Sequence, residues 1–220
     1  MNSTIQGNMS VADRRRQLAE SRLYVLMNGG NSVTEFRNLV KRLINAEVDI
    51  IQLRDKRLSN RDLLERLDAL MEITRPTPTL AILNDCPDLA AEHAADGVHL
   101  GQEDLSAIDA RAIVGTAMLI GISTHNIQQA RRATVDGADY LGAGPTFPST
   151  TKSFDEFTGV EFLRRIAGEI TLPVFAIGGI TLKNLPLVQA AGIQRIAVSG
   201  FVMSASKPEN VAAELRGQLR

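Results

Sequence analysis

The sequence contains a single cysteine, Cys86, among 220 residues. No intramolecular disulfide is available, the chain makes no demand on an oxidising compartment, and a cytoplasmic setting is the default expectation. An excess of charge of either sign is missing as well: the formal net charge is −1, with Lys, Arg, Asp and Glu intermixed. That balance argues against a dedicated nucleic-acid surface and against an acidic solvating chain, and leaves small molecules as the expected partners. Long apolar runs are also absent. The opening MNSTIQGNMSVADRRRQLAE has no apolar segment of signal-peptide length, and no later run is long enough to span a bilayer, so no membrane partner is expected. No low-complexity stretch or linker divides the chain. The oligomeric state is not fixed by any of these features, and a homo-oligomer is compatible with them.

What is present is a hydrophobic content of 44%, enough for one substantial core at a length where α/β barrels run as one domain. Residues 1–20 read as an N-terminal extension. Within it, Ser10 followed by Asp13 is a capping box that opens a short helix, and Arg14, Arg15 and Arg16 are expected on its solvated face. Residues 21–220 carry a regular alternation. LYVLM precedes an amphipathic stretch from Val33 to Ala46, and VDIIQLR precedes Asn60 to Thr74. TLAIL, GVHL, MLIGIS and YLGAG follow, with helices expected at Pro87 to Ala94, Ala107 to Val114, Asn126 to Val135 and, after a longer break, Val160 to Glu169. PVFAIG and RIAVS then lead into helices at Leu182 to Ala190 and Lys207 to Gln218. The short runs are rich in Val, Ile and Leu and mostly unalternated, as strands buried on both faces are. Eight strand-helix units of this kind fit a closed (β/α)8 barrel, the TIM-barrel architecture, better than an open doubly wound sheet.

In such a barrel the chemistry sits at the C-terminal ends of the strands. After the second strand come Gln52, Arg54 and Lys56, which a period of two places on one face; this is either a polyphosphate grip or a charged, solvated loop. After the third and fourth stand Asn84-Asp85 and Glu103-Asp104. On adjacent parallel strands, roughly 5 Å apart, Asp85 and Asp104 meet over one edge and supply hard oxygens suited to Mg2+; taken alone, each is equally a turn or helix-cap residue. Ser123, at the fifth strand end, has a hydroxyl for a phosphate oxygen. His125 beside it has no partner visible in sequence, and His99 is expected to make structural hydrogen bonds.

The sixth strand leads into GAGPTFPSTTKSFDEFTG, Gly142 to Gly159, too long a break to be a plain connection and read here as a lid. Phe147, Phe154 and Phe157 are expected to fold it onto the mouth, while Ser149, Thr150, Thr151 and Lys152 offer hydroxyls and a cation. Gly178-Gly179 and Ser199-Gly200 follow the seventh and eighth strands, where many such barrels bind a monophosphate. Two anion sites facing one mouth suggest an enzyme that joins two phosphorylated molecules.

As a set, QLRDK at 52–56, LND at 83–85, GVHLGQEDL at 97–105, GISTHN at 121–126, DGADYLGAGPTFPSTTK at 136–152, AIGGI at 176–180 and VSG at 198–200 resemble the thiamin-phosphate synthase (thiamin-phosphate pyrophosphorylase) family. The resemblance implies a Mg2+-dependent transferase that couples 4-amino-5-hydroxymethyl-2-methylpyrimidine diphosphate to a thiazole phosphate or carboxythiazole phosphate, releasing diphosphate. It implies that Gln52, Arg54, Lys56, Asn84, Ser123 and Lys152 hold the pyrimidine diphosphate, with Arg54, Lys56, Lys152 and Ser123 as the catalytic set. Asp85 and Asp104 would bind Mg2+, and Ser149, Thr150, Thr151, Gly179, Val198 and Ser199 would contact the thiazole phosphate. The lid departs from the family's usual Thr-Pro-Thr-Lys, reading Ser149-Thr150-Thr151-Lys152. Rival readings are a thiazole tautomerase, another phosphate-binding barrel such as an epimerase, and a non-catalytic protein that binds thiamin phosphate.

Overall fold

The computed structural model describes residues 10–148 and 157–219. Eight parallel strands close a barrel in chain order: β1 (Leu23–Met27), β2 (Ile50–Leu53), β3 (Leu80–Asn84), β4 (Gly97–Leu100), β5 (Leu119–Thr124), β6 (Tyr140–Ala143), β7 (Val174–Ile177) and β8 (Ile196–Val198). The ring is sealed by pairing of β1 with β8, Tyr24 opposite Ala197. Alternate residues point to opposite faces, and the barrel has two cores accordingly. Tyr24, Ile50, Leu80, Ile82, Leu119, Tyr140 and Phe175 fill the interior. Leu23, Val25, Ile51, Leu53, Leu83, Val98, Ile120 and Leu141 face outward into the layer beneath the helices. Burial on both faces is why the strands carry no polar alternation.

The helices are α1 (Val11–Glu20), α2 (Val33–Asn45), α3 (Asn60–Thr74), α4 (Pro87–Glu92), α5 (Ala107–Val114), α6 (Ile127–Val135), α7 (Gly159–Glu169), α8 (Leu185–Ala190), α9 (Gly200–Met203) and α10 (Pro208–Gln218). Five of them open on a side-chain cap: Ser10, Ser32, Ser59, Ser106 and Asn126 each accept a hydrogen bond from the backbone N–H three residues on. The helix expected from Leu182 begins only at Leu185. Asn184 holds residues 181–184 as a turn, accepting from Thr181 N at 2.8 Å and donating to Gly179 O at 2.9 Å. The short α9 has no periodicity to announce it and was not expected. No described helix is long and apolar enough to cross a membrane.

The base of the barrel corrects the reading of the arginine run. Arg14 is only 7% exposed. Its Nε donates to Asp96 at 3.1 Å and its Nη1 to Ala117 O at 2.6 Å, while Leu18 on the same helix reaches the inner core. Arg14 therefore fixes α1 under the barrel, and only Arg15 and Arg16 lie on a solvated face. Asp96 is one of three aspartates with the same job. Asp49, Asp96 and Asp139 immediately precede β2, β4 and β6, and each accepts a backbone N–H from the start of the preceding strand: Leu23 at 2.8 Å, Ala81 at 2.9 Å and Ile120 at 2.9 Å. Each also pairs with an arginine, Arg216, Arg14 and Arg111 respectively.

Candidate active site

At the end of β2 the alternation of the chain decides which groups reach the mouth. Gln52 points inward, 1% exposed, with Nε2 donating to the Tyr24 hydroxyl at 2.6 Å and Oε1 left without a hydrogen-bond partner. Asp55 turns the other way. Its carboxylate accepts from Gly29 N at 3.2 Å and from Arg57 N at 3.0 Å, and the hydrogen-bonded Arg57 guanidinium holds its pKa below the ordinary carboxylate value. This anchors the loop while Arg54 and Lys56 stay on the mouth side. Lys56 Nζ lies 2.9 Å from Asp85 Oδ2. Arg54 is half-buried; its N–H donates to Met27 O at 2.9 Å, and its guanidinium has no hydrogen bond or ion pair among the described residues.

The two acids sit on adjacent strand ends, because β3 and β4 pair with Asn84 opposite His99. Asp85 follows in a left-handed conformation, φ 65°, with its N–H donating to His99 O at 2.9 Å. Aspartate tolerates that region better than most side chains. Asp104 folds back so that Oδ2 accepts from Gly101 N at 2.7 Å. Neither acid caps a helix: Ser106 caps α5, and α4 begins after Cys86 without a side-chain cap. Both carboxylates bear on Cys86, whose thiol pKa is raised first by burial and then by Asp85 and Asp104, so the cysteine is no thiolate. Among the described residues no three His, Cys, Asp or Glu side chains form a metal cluster. Two carboxylates, each engaging the protein through Oδ2, fit a hard cation that takes one or two protein oxygens and fills its remaining positions with water and phosphate.

Beneath these charges runs a feature the sequence did not announce. The Tyr24 and Tyr140 hydroxyls meet at 3.0 Å, Tyr140 OH lies 3.2 Å from His99 Nδ1, and His99 Nε2 lies 2.9 Å from Ser123 Oγ. Gln52 and Ser123, 71 positions apart in the chain, are thus joined by a buried string of hydrogen bonds. Gly121 makes the room: a Cβ there would lie 2.1 Å from the Tyr140 ring, whereas one on Gly142 would make ordinary contact with His99 at 3.4 Å. Phe175 closes the underside, edge-on to both tyrosines at 5.5 and 5.8 Å between ring centres. Burial lowers the His99 pKa from 6.5 to about 4, so the ring is neutral at pH 7. The one sequence signal was tyrosines at inward positions of otherwise apolar strands.

On the opposite side, the loop leaving β6 is bound to β7. Thr146 N donates to Ile177 O at 2.8 Å and Phe147 N to Gly178 O at 3.0 Å. The neighbouring glycines, φ 96° at Gly178 and 62° at Gly179, admit this backbone: a Cβ on Gly179 would lie 2.3 Å from Pro148 O. Thr158, where the chain returns, donates to Pro145 O through its N–H at 2.9 Å and its hydroxyl at 3.0 Å, so the loop is tied at its neck. Phe147 packs against the layer between strands and helices, and Phe157 is 42% exposed, so neither is seen folded onto the mouth. Phe154, Ser149, Thr150, Thr151 and Lys152 lie outside the described residues. Val198 is buried in β8, and Ser199 precedes α9. His125 Nδ1 meets Gly144 O at 2.5 Å, at the foot of the same loop.

Comparison with known proteins agrees with this geometry. The family model described as thiamine monophosphate synthase matches residues 23–202. Thiamine-phosphate synthase of Rhodopirellula baltica is 45% identical over 192 residues, 85% of this chain and 51% of that protein. The one from Halalkalibacterium halodurans is 41% identical over 169 residues, 76% of this chain and 80% of that one. Thiamine phosphate pyrophosphorylase from Pyrococcus furiosus superposes with a TM-score of 0.80 at 33% identity, covering 93% of this chain and 96% of that structure. A 3-hexulose-6-phosphate synthase, 20% identical with a TM-score of 0.68, shares the fold alone. The chain spans 51% and 61% of the length of two of its curated relatives, from Rhodopirellula baltica and Gloeobacter violaceus. Since the family match runs from the first residue of β1 into α9, taking in all eight strands, the chain belongs to the thiamine monophosphate synthase family.

Proposed function

We propose that this barrel couples 4-amino-5-hydroxymethyl-2-methylpyrimidine diphosphate to a thiazole phosphate, giving thiamin phosphate and diphosphate, as a transferase of thiamin biosynthesis. With a carboxylated thiazole, CO2 leaves as well. The observation that carries this reading is the Lys56–Asp85 pair on a strand end adjacent to that of Asp104, with the Arg54 guanidinium at the end of β2 unpaired among the described residues. Those charges suit a diphosphate that must depart. Its C–O bond breaks with the electron pair going to diphosphate, the aminopyrimidine stabilises the cation left behind, and the thiazole nitrogen closes the new C–N bond. Arg54, Lys56 and Lys152 would neutralise the leaving group, with Gln52, Asn84 and Ser123 orienting the pyrimidine. Asp85 and Asp104 would hold Mg2+, which when bound supplies further positive charge to the diphosphate oxygens. Ser149, Thr150, Thr151, Gly179, Val198 and Ser199 would receive the thiazole phosphate. Bond formation needs no general base, which suits a neutral, inward-facing His99.

A tautomerase would have no diphosphate to expel and no use for the grip at Gln52, Arg54 and Lys56; an epimerase would leave one anion site idle. Incubating the purified protein with both substrates and Mg2+ should yield thiamin phosphate and diphosphate in equal amounts. Tautomerisation alone, or tight binding of thiamin phosphate without turnover, would replace the proposal with the corresponding rival. Asp85→Ala and Lys152→Ala should each lower kcat by roughly 10²–10³-fold, the usual scale for removing one electrostatic contact to developing charge.

A further inference from the structure

The string of hydrogen bonds inside the barrel has a direction, and the direction follows from counting protons. Gln52 Nε2 can only donate, so the Tyr24 oxygen accepts from it at 2.6 Å. The Tyr24 proton then needs an acceptor, and the hydroxyl of Tyr140 at 3.0 Å is the one the structure provides. Tyr140 in turn donates to His99 Nδ1, which leaves the imidazole proton on Nε2, directed at Ser123 Oγ. Running the string the other way would require the Gln52 amide to turn its carbonyl to Tyr24, which would leave the NH2, with two donors, buried without an acceptor where the carbonyl now lies, a larger cost than one unpaired carbonyl oxygen. With its oxygen already receiving the His99 proton, Ser123 has its own hydroxyl hydrogen free for the mouth. At the far end, Gln52 Oε1 is buried without a partner.

We infer that Tyr24, Tyr140 and His99 are positioning residues: they hold Ser123 as a hydrogen-bond donor and the Gln52 carbonyl as an acceptor toward one bound ligand. The occupant is a heteroaromatic molecule that presents an N–H to Gln52 and a lone pair to Ser123, a description the aminopyrimidine meets. This assignment rests on the proposed function for its ligand, but the string itself belongs to the free protein. A purely structural role for the tyrosines would fill the barrel without setting a tautomer. Gly121 argues for more than filling, since a smaller side chain at 140 would make the glycine unnecessary.

The test reads the tautomer directly. In protein labelled with ¹⁵N-histidine at pH 7, long-range ¹H–¹⁵N correlation spectra should show His99 with its proton on Nε2, its signals identified by their loss in His99→Gln. Tyr140→Phe should abolish that preference, since Nδ1 loses its donor. Tyr24→Phe severs the link to Gln52 and should raise KM for the pyrimidine diphosphate about five- to tenfold, the scale of one hydrogen bond, with KM for the thiazole phosphate unchanged. A proton on Nδ1 in the unsubstituted protein would overturn the inference, as would Tyr24→Phe kinetics identical to it. Should Tyr140→Phe fail to fold, the unsubstituted spectrum and Tyr24→Phe still decide. A correct tautomer in a protein that makes no thiamin phosphate would remove the proposed function and leave the string standing. Full turnover with the wrong tautomer would do the reverse.

Discussion

At the base of the barrel, Asp49, Asp96 and Asp139 each have a backbone N–H and an arginine; at the mouth, the Arg54 guanidinium has no partner among the described residues, and Lys56 and Asp85 have each other across a partly solvated gap. Both ends carry charges of both signs. The base uses them up: strand starts are held, Arg14 docks α1, and little capacity is left for anything else. The mouth keeps capacity in reserve: among the described residues the Arg54 guanidinium has no partner, the Lys56 ammonium has only Asp85, and the Gln52 carbonyl has none. Satisfied charge stabilises the fold, and unsatisfied charge is what a ligand can complete.

The comparison breaks most sharply at Asp96. Asp96→Ala removes an acceptor from Ala81 N and strands the buried Arg14 guanidinium, and should cost about 3–5 kcal/mol of stability by denaturant titration, with kcat per folded molecule unchanged. Next comes His99, which sits between the two regions. Its folded pKa of about 4 lies below the ordinary 6.5, so the unfolded chain binds the extra proton first. Its contribution is complete above pH 6.5 and is lost as pH falls toward 4, roughly 3 kcal/mol in all. Stability measured across that window should fall less steeply in His99→Gln. The smallest effect on folding belongs to the mouth: Lys56→Ala opens a pair whose lysine is 65% exposed and should shift stability by no more than about 1 kcal/mol while turnover drops. Equal stability losses for Lys56→Ala and Asp96→Ala would erase the distinction between the two ends.

The barrel was legible because burial on both faces removes polar residues from every strand, and that trace survives in a single sequence. The alternation of Gln52, Arg54 and Lys56 around Asp55 was legible for the same reason, being a property of a few consecutive residues. Arg14 was not. Its partner Asp96 lies 82 positions away, and nothing in an Arg-Arg-Arg run distinguishes the one that turns inward. The Tyr24, Tyr140 and His99 string was hidden for a related reason. It depends on the register of neighbouring strands, and on a glycine at 121 whose importance lies in the Tyr140 ring that stands opposite it. Helix starts were legible where a serine or asparagine caps them, and missed at α8, where the Asn184 side chain organises a turn in place of a cap.

The aspartates of the base also mark the barrel as a thing made of strand pairs. Asp49 ties β1 to β2, Asp96 ties β3 to β4 and Asp139 ties β5 to β6, but in the fourth pair, β7 and β8, the same place is taken by Arg195. That side chain ties no strand; it reaches out to Ala19 O at the end of α1, at 2.7 Å. Three of the four strand pairs are thus tied by an aspartate from within the ring, and at the fourth, β7 with β8, the side chain in that place fastens the helix that lies beneath the barrel.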